Sequence, residues 1–246
     1  MGNCLKTQLK EVVNNPNLLR LGEIQLLTIT EDTAIKSFII GSEGDEDIVV
    51  SCDSNGLFDN NQREITLVGG SGTVTLSSIT GSTVIKVMPY YNINQINSGS
   101  SASQNTNYQY IYDESIFGKL PYLKTLGIRY LSDISVLEPC ENMENLYLNN
   151  SSVTTGNLSS LYNMKKLTKV VFRSSTNKIT GSLEGLANAQ VSAPNARTSG
   201  SLAVECNGKI TLNGEAVSAG TTKTINFGTS MVDPTEQETT QGWQIV

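Results

Sequence analysis

The chain has 246 residues, of which 16% are charged, and a formal net charge of −6. That length gives room for a sizeable core, and the acidic balance without a basic block discounts DNA or RNA as a direct partner. There is no histidine, which removes imidazole acid–base chemistry, the Ser-His-Asp and Cys-His arrangements and His metal ligands.

In chain order, the first element is a short leader. Leu5, Leu9 and Val12 fall on one face of a helix over Leu5 to Val13. Asn14-Asn15-Pro16-Asn17 breaks it, and Leu18, Leu19 and Leu21 form a small apolar cluster. Residues 1–22 are too short for a core of their own, so Leu5, Leu9, Leu18, Leu19 and Leu21 are the candidate anchoring residues. The sequence carries neither the apolar run of a secretory signal nor one long enough to span a membrane, so neither export by the usual route nor membrane insertion is expected. Lys6 stands where a myristoylation signal has Ser or Thr.

From residue 23 to residue 89 the signals are those of strands. Glu23–Thr30, Ile35–Ile40, Asp47–Cys52, Glu64–Val68, Thr73–Ile79 and Thr83–Met88 are rich in Ile, Val and Thr, with turn chemistry between them. Six short strands at this spacing predict a small β-sandwich or barrel. Gly69-Gly70-Ser71-Gly72 lacks the spacing of a phosphate-binding loop and no helix follows, so it is expected to be a hairpin turn. The acids Glu43, Asp45, Glu46 and Asp47, or Asp53 with Asp59, offer oxygens to calcium without the EF-hand spacing; a solvated loop is expected.

Pro89 to Ile96 is expected to be a degenerate first turn that caps a repeat array, Asn97 to Asn107 an exposed loop of low complexity, and Tyr108 to Tyr112 a half-buried strand. Then a pattern repeats. Leu123-x-x-Leu126-x-Ile128 recurs as Met143-x-x-Leu146-x-Leu148 and as Leu167-x-x-Val170-x-Phe172. An apolar pair comes after each strand: Ile134 and Leu137, Leu158 and Leu161, Leu183 and Leu186. Each unit is one strand, a turn and a return segment that buries its apolar edge only by stacking on the next. This stretch resembles the leucine-rich-repeat family. Alternation puts Leu126 and Ile128 in the core and Thr125, Gly127 and Arg129 outside. The outward rows are Thr125, Asn145 and Lys169; Gly127, Tyr147 and Val171; Arg129, Asn149 and Arg173. Arg129, Tyr147, Asn149 and Arg173 are the candidate partner-binding residues; the alternative is a set of plain solvated strand positions. Asn149 stands where the family often carries an Asn, but Arg129 and Arg173 in the same register do not support an asparagine ladder.

After Leu186 the register would place Ser192, Asn195 and Arg197 where apolar residues belong, so the array is expected to end there, with Val191 to Gly200 as a connection. Leu202–Cys206, Lys209–Leu212 and Thr221–Phe227 are predicted strands around Asn207-Gly208 and Asn213-Gly214, both hairpin signals. A polar tail from Met231 ends on Trp243, an expected docking anchor. The predicted fold class is thus mainly β: a leader (1–22), a β-sandwich-like domain (23–89), a short leucine-rich-repeat array (90–190, with an exposed loop at 97–107) and C-terminal β-hairpins with a tail (191–246).

Cys4, Cys52, Cys140 and Cys206 contain no Cys-x-x-Cys pair. They match neither a zinc site nor a disulfide framework and are expected to be buried free thiols, which suits a reducing cytoplasm. Asp113 and Glu114 are adjacent, so on a strand they would face opposite ways. No catalytic residue, metal or cofactor is expected. The opening, Asn3-Cys4-Leu5-Lys6-Thr7-Gln8-Leu9-Lys10, then Asn14-Asn15 and Leu18 to Ile24, resembles the leaders of structural proteins in phages of gut Bacteroidales, including the crAss-like group. That resemblance implies a virion protein assembled in the host cytoplasm, a head fibre or capsid decoration whose leader holds capsid or other virion proteins. It also implies a homo-oligomer, a trimer by analogy with phage fibres, and a module that could meet a host surface ligand. The alternative is a bacterial leucine-rich-repeat cell-surface module or adhesin.

Overall fold

The computed structural model describes residues 23–30, 37–44, 46–98, 110–112, 114–128, 131–148, 154–173, 175–192, 196–228 and 242–246. The fold is mainly β. Among the described residues, nine strands come from the first half of the chain: β1 (Ile24–Thr30), β2 (Ser37–Ser42), β3 (Ile48–Cys52), β4 (Gly56–Phe58), β5 (Glu64–Leu67), β6 (Ser71–Ile79), β7 (Ser82–Met88), β8 (Ile93–Ser98) and β9 (Tyr110–Tyr112). The rest come from the second half: β10 (Thr125–Gly127), β11 (Asn145–Tyr147), β12 (Lys169–Val171), β13 (Gly181–Ser182), β14 (Ser201–Glu205), β15 (Ile210–Leu212), β16 (Glu215–Ala216), β17 (Thr222–Phe227) and β18 (Trp243–Ile245). Among the described residues one α-helix, α1 (Leu183–Val191), lies between β13 and β14.

Side-chain alternation drives the first sheet. In β7, Thr83, Ile85 and Val87 are buried while Val84, Lys86 and Met88 are partly exposed. This five-stranded antiparallel sheet has the order β5-β3-β7-β1-β9. A ten-stranded sheet holds the rest in the order β18-β17-β14-β12-β11-β10-β8-β2-β6-β4. Strands β5 and β6 therefore belong to different sheets, and the Gly69-Gly70 segment is a crossing between them, which corrects the expected hairpin turn. Val68–Gly70 makes a 3-10 turn with φ of 72° at Gly69 and 76° at Gly70. Gly70 cannot be replaced cheaply: a Cβ there would strike Ser42 Oγ and lie 2.8 Å from the Glu46 carbonyl oxygen.

The middle of the large sheet is parallel. Strands β8, β10, β11, β12 and β14 pair side by side, so that Ile96, Leu126, Leu146, Val170 and Val204 form one rung line, each 0% exposed. Two residues further along the last four strands, Ile128, Leu148, Phe172 and Cys206 form a second buried line. The chain returns after β9, β10 and β11 through 3-10 turns, Glu114–Lys119, Ile134–Leu137 and Leu158–Leu161, and after β12 through α1. Side-chain caps start the last three returns. Asp133 accepts from Ser135 N at 2.8 Å, Asn157 from Ser159 N at 3.0 Å and Ser182 from Gly185 N at 2.9 Å. A second, narrow parallel ladder joins Asp133 to Thr155, Asn157 to Thr180, and β13 to β15.

Several expectations are corrected here. The strand stack does not stop at Leu186: β14 pairs in parallel with β12, Lys169 opposite Ala203. The register fails locally because the last unit is longer, and Arg197 fills the place of an apolar residue. Its guanidinium donates to the carbonyls of Leu167 (2.5 Å), Ser201 (2.8 Å) and Ser199 (3.2 Å) and lies 4.2 Å from the Phe227 ring centroid. Asn213-Gly214 does form a hairpin, between β15 and β16, with φ of 53° and 80°. Asn207-Gly208 does not, because β14 pairs with β12 and β17 and never with β15. Gly56 starts a strand that the turn chemistry had hidden. The expected exposed loop begins late: Asn97 belongs to β8 and is 1% exposed. Glu114 opens a 3-10 turn, so it does not sit on a strand facing away from Asp113.

Candidate functional site

The outer side of the parallel strands is a face built from aligned side chains. Its first row is Gln95, Thr125, Asn145, Lys169 and Ala203; its second is Asn97, Gly127, Tyr147, Val171 and Glu205. Neighbouring members of a row sit one strand spacing apart, about 4.8 Å. In the first row all five are open to solvent to some degree, Lys169 most. The second row is less open than alternation alone implies. Gly127 and Val171 are buried, and Asn97 is buried with neither amide atom partnered. Tyr147 is half-buried, and burial pushes its phenol pKa up, so the ring is neutral across the physiological range. The Lys169 ammonium lies 5.7 Å from the Tyr147 ring centroid, within cation–π range.

Of the four sequence-predicted partner-binding residues, Tyr147 and Arg173 are placed on this face. Arg173 is exposed and makes a two-pronged pair with Glu205, Nε to Oε1 at 2.5 Å and Nη2 to Oε2 at 3.0 Å. That pairing holds the Arg173 pKa up. Arg129 and Asn149 lie outside the described residues, as do the anchoring residues Leu5, Leu9, Leu18, Leu19 and Leu21. Lys169 belongs to the site although its residue type alone did not single it out.

Four of the six acidic residues considered as calcium ligands are otherwise engaged. Glu43 pairs with Lys124 at 2.7 Å, Glu46 accepts from Asn92, and Asp47 accepts from Gly69 N at 3.0 Å. The carboxylate of Asp53 accepts from Asn55 N and Val84 N at 2.9 and 3.0 Å. Asp45 lies outside the described residues. Among the described residues no group of three His, Cys, Asp or Glu is arranged to hold a metal ion.

A shallow cleft of about 280 Å³ lies elsewhere, lined by Ser51, Cys52, Asp53, Arg63, Glu64 and Lys86. Burial, then the neighbouring Asp53 charge, pushes the Cys52 thiol up, and its Sγ donates to the Gly56 carbonyl at 3.2 Å. Both make it a poor nucleophile, since the thiolate is the reactive form. Lys86 is tied to Glu23 at 2.9 Å. Cys140 and Cys206 are free and buried.

Two buried asparagines, Asn177 and Asn207, join successive coils beyond Leu148. Asn177 donates to the Leu148 carbonyl at 3.2 Å and Asn207 to the Ile179 carbonyl at 2.8 Å, and both are 0% exposed. Their Oδ1 atoms accept from Ile179 N and Lys209 N, each at 2.9 Å. A second repeat is visible once the coils are aligned. Thr155-Gly156-Asn157-Leu158 and Thr180-Gly181-Ser182-Leu183 are the same step of two successive units. No protein-family model, curated protein or solved structure matches this chain. Among the described residues no helix is long and apolar enough to cross a membrane.

Proposed function

We propose that the protein is a structural component of a phage particle, a head fibre or capsid-decoration protein, whose stacked parallel strands form a leucine-rich-repeat array presenting a binding face. The observation that carries this reading is the in-register stack itself. Five parallel strands place Thr125, Asn145, Lys169 and Tyr147 on one side while their alternates fill the core. Such a stack is a rigid display surface. The resemblance of residues 3–24 to phage structural leaders supports the source, and Leu5, Leu9, Leu18, Leu19 and Leu21 supply apolar area for attachment. Self-association of leaders into a trimer would multiply the grip on the particle through avidity.

Mass spectrometry of purified particles tests the proposal. The expected result is the protein at a fixed copy number, and a chain lacking residues 1–22 that stays folded but fails to join the particle and sediments as a monomer. Absence of the intact chain from purified particles would sink it. A cell-surface adhesin, which relies on the same face, would be left standing by that outcome.

A further inference from the structure

We infer that the outer face around Lys169 and Tyr147 binds a linear polysaccharide carrying carboxylate groups. The inference rests on the display-face reading above and supplies its ligand class. The first row offers neutral hydrogen-bonding groups at successive strand positions, Gln95, Thr125 and Asn145. Asn145 Nδ2 donates to Thr125 Oγ1 at 3.5 Å, and Asn145 Oδ1 accepts from Thr168 Oγ1 at 3.3 Å, so the amide is oriented and its bonds are long enough to exchange for ligand hydroxyls. Tyr147 supplies an aromatic surface with a polar tip, suited to a sugar ring that is apolar on its C–H face and polar at its edge.

The charge pattern selects among ligands. Arg173 is already neutralised by Glu205, whereas Lys169 is exposed and, among the described residues, meets no carboxylate. These two rows therefore carry one uncompensated cation in a chain of net charge −6. A single cation suits spaced carboxylates. It does not suit a nucleic acid, whose affinity comes from neutralising many phosphates at once. A protein partner would want an apolar centre to the patch. The aliphatic side chains of these rows are Val171, 3% exposed, and the small Ala203, so the single ring of Tyr147 is too little apolar area for such a centre.

The full chain would be titrated calorimetrically with alginate, a polyuronate, with neutral dextran and with a single-stranded oligonucleotide. Binding to alginate alone is expected, weakening with added salt as an exposed charge pair does. Lys169→Gln, an exposed substitution that leaves the core untouched, should weaken alginate binding by up to about fivefold, the upper end for one exposed ion pair. Tyr147→Leu should weaken it further, read alongside the melting temperature so that loss of the ring is separated from loss of the fold. Lys119→Gln, the same charge change at an exposed position on a 3-10 turn, should bind as the parent does. No alginate binding, equal binding to the oligonucleotide, or an unchanged affinity in Lys169→Gln would each overturn the inference. None of these results bears on whether the protein is found in particles, so the two proposals fail separately.

Discussion

Leu146 sits at the middle of the buried rung line, with Leu126 on one side and Val170 on the other. With neighbours on both sides, a truncation there leaves a cavity that cannot collapse. Leu146→Ala should cost about 2–5 kcal/mol in denaturant unfolding, and a loss below about 0.5 kcal/mol would place the residue on the surface instead. Asn207 is a different kind of core residue, since its amide joins two coils and bonds to Ile179 O, Lys209 N and Ile210 N. Replacing it by alanine strands those groups, at about 1–3 kcal/mol for each that finds no water, read in denaturant unfolding; a loss below about 0.5 kcal/mol would mean that the amide joins nothing. The buried thiols give a pH signature. Burial pushes Cys140 up to about 12 and Cys206 up to about 11, from an ordinary value of 9.0. The folded state holds these protons more tightly, so their stabilisation is complete below pH 9.0 and is lost as pH rises through 11 towards 12. Stability measured from pH 8 upward should therefore fall more steeply in the parent than in a Cys140→Ala, Cys206→Ala double variant, and identical slopes would count against buried thiols.

At the scale of elements, the strands and returns of the stack were readable because their apolar spacing comes directly from side-chain alternation and one-sided burial. Leu126, Leu146 and Val170 share one line for that reason. Other features were not readable because they depend on which strands meet. Turn residues such as Gly69-Gly70 and Asn207-Gly208 mark a change of direction without naming the strands on either side. Strand β14 was readable as a strand, but its place in the parallel stack was disguised by a longer unit that contains α1, and by Arg197 in place of an apolar residue. On the candidate face, alternation marked Tyr147 and Arg173 as outward, but nothing local showed that Glu205 would occupy Arg173 and leave Lys169 without a carboxylate among the described residues. The repeated Thr-Gly step has its own test. Gly156 and Gly181 have φ of 118° and 119°, and a Cβ on Gly181 would lie 2.8 Å from Asn157 Oδ1 and 3.1 Å from Leu158 N, disturbing the cap of the neighbouring return. Gly181→Ala should cost about 1 kcal/mol or more. Gly118→Ala, whose nearest contact would be Pro139 Cγ at 3.9 Å, should change stability by less than about 0.5 kcal/mol. Equal effects would remove the argument from close approach.

At the scale of the molecule, the decisive feature is that one sheet runs through both halves of the chain. Strand β8 pairs with β2 on one side and β10 on the other, so the antiparallel strands of the first half and the parallel stack share hydrogen bonds and one continuous core. Strand β9 likewise closes the edge of the first sheet beside β1. Residues 23–89 alone would lack both closing strands, leaving the inner edge of β2 and the apolar side chains Phe38 and Ile40 without their cover. A stack of independent units would instead unfold in steps, because each unit touches only its neighbours. The far edge of the large sheet carries the single tryptophan, Trp243, 7% exposed and donating to Asn188 Oδ1 at 2.9 Å. Its fluorescence therefore reports that edge, while Cys52 in β3 reports the first sheet. If the shared sheet makes one cooperative unit, Trp243 fluorescence, far-ultraviolet circular dichroism and the exposure of Cys52 to a thiol reagent should all change at the same urea concentration, and the 23–89 fragment should show no cooperative transition. Loss of the Trp243 signal well before exposure of Cys52, together with a fragment that melts cooperatively, would show that the shared sheet joins two units that fold separately.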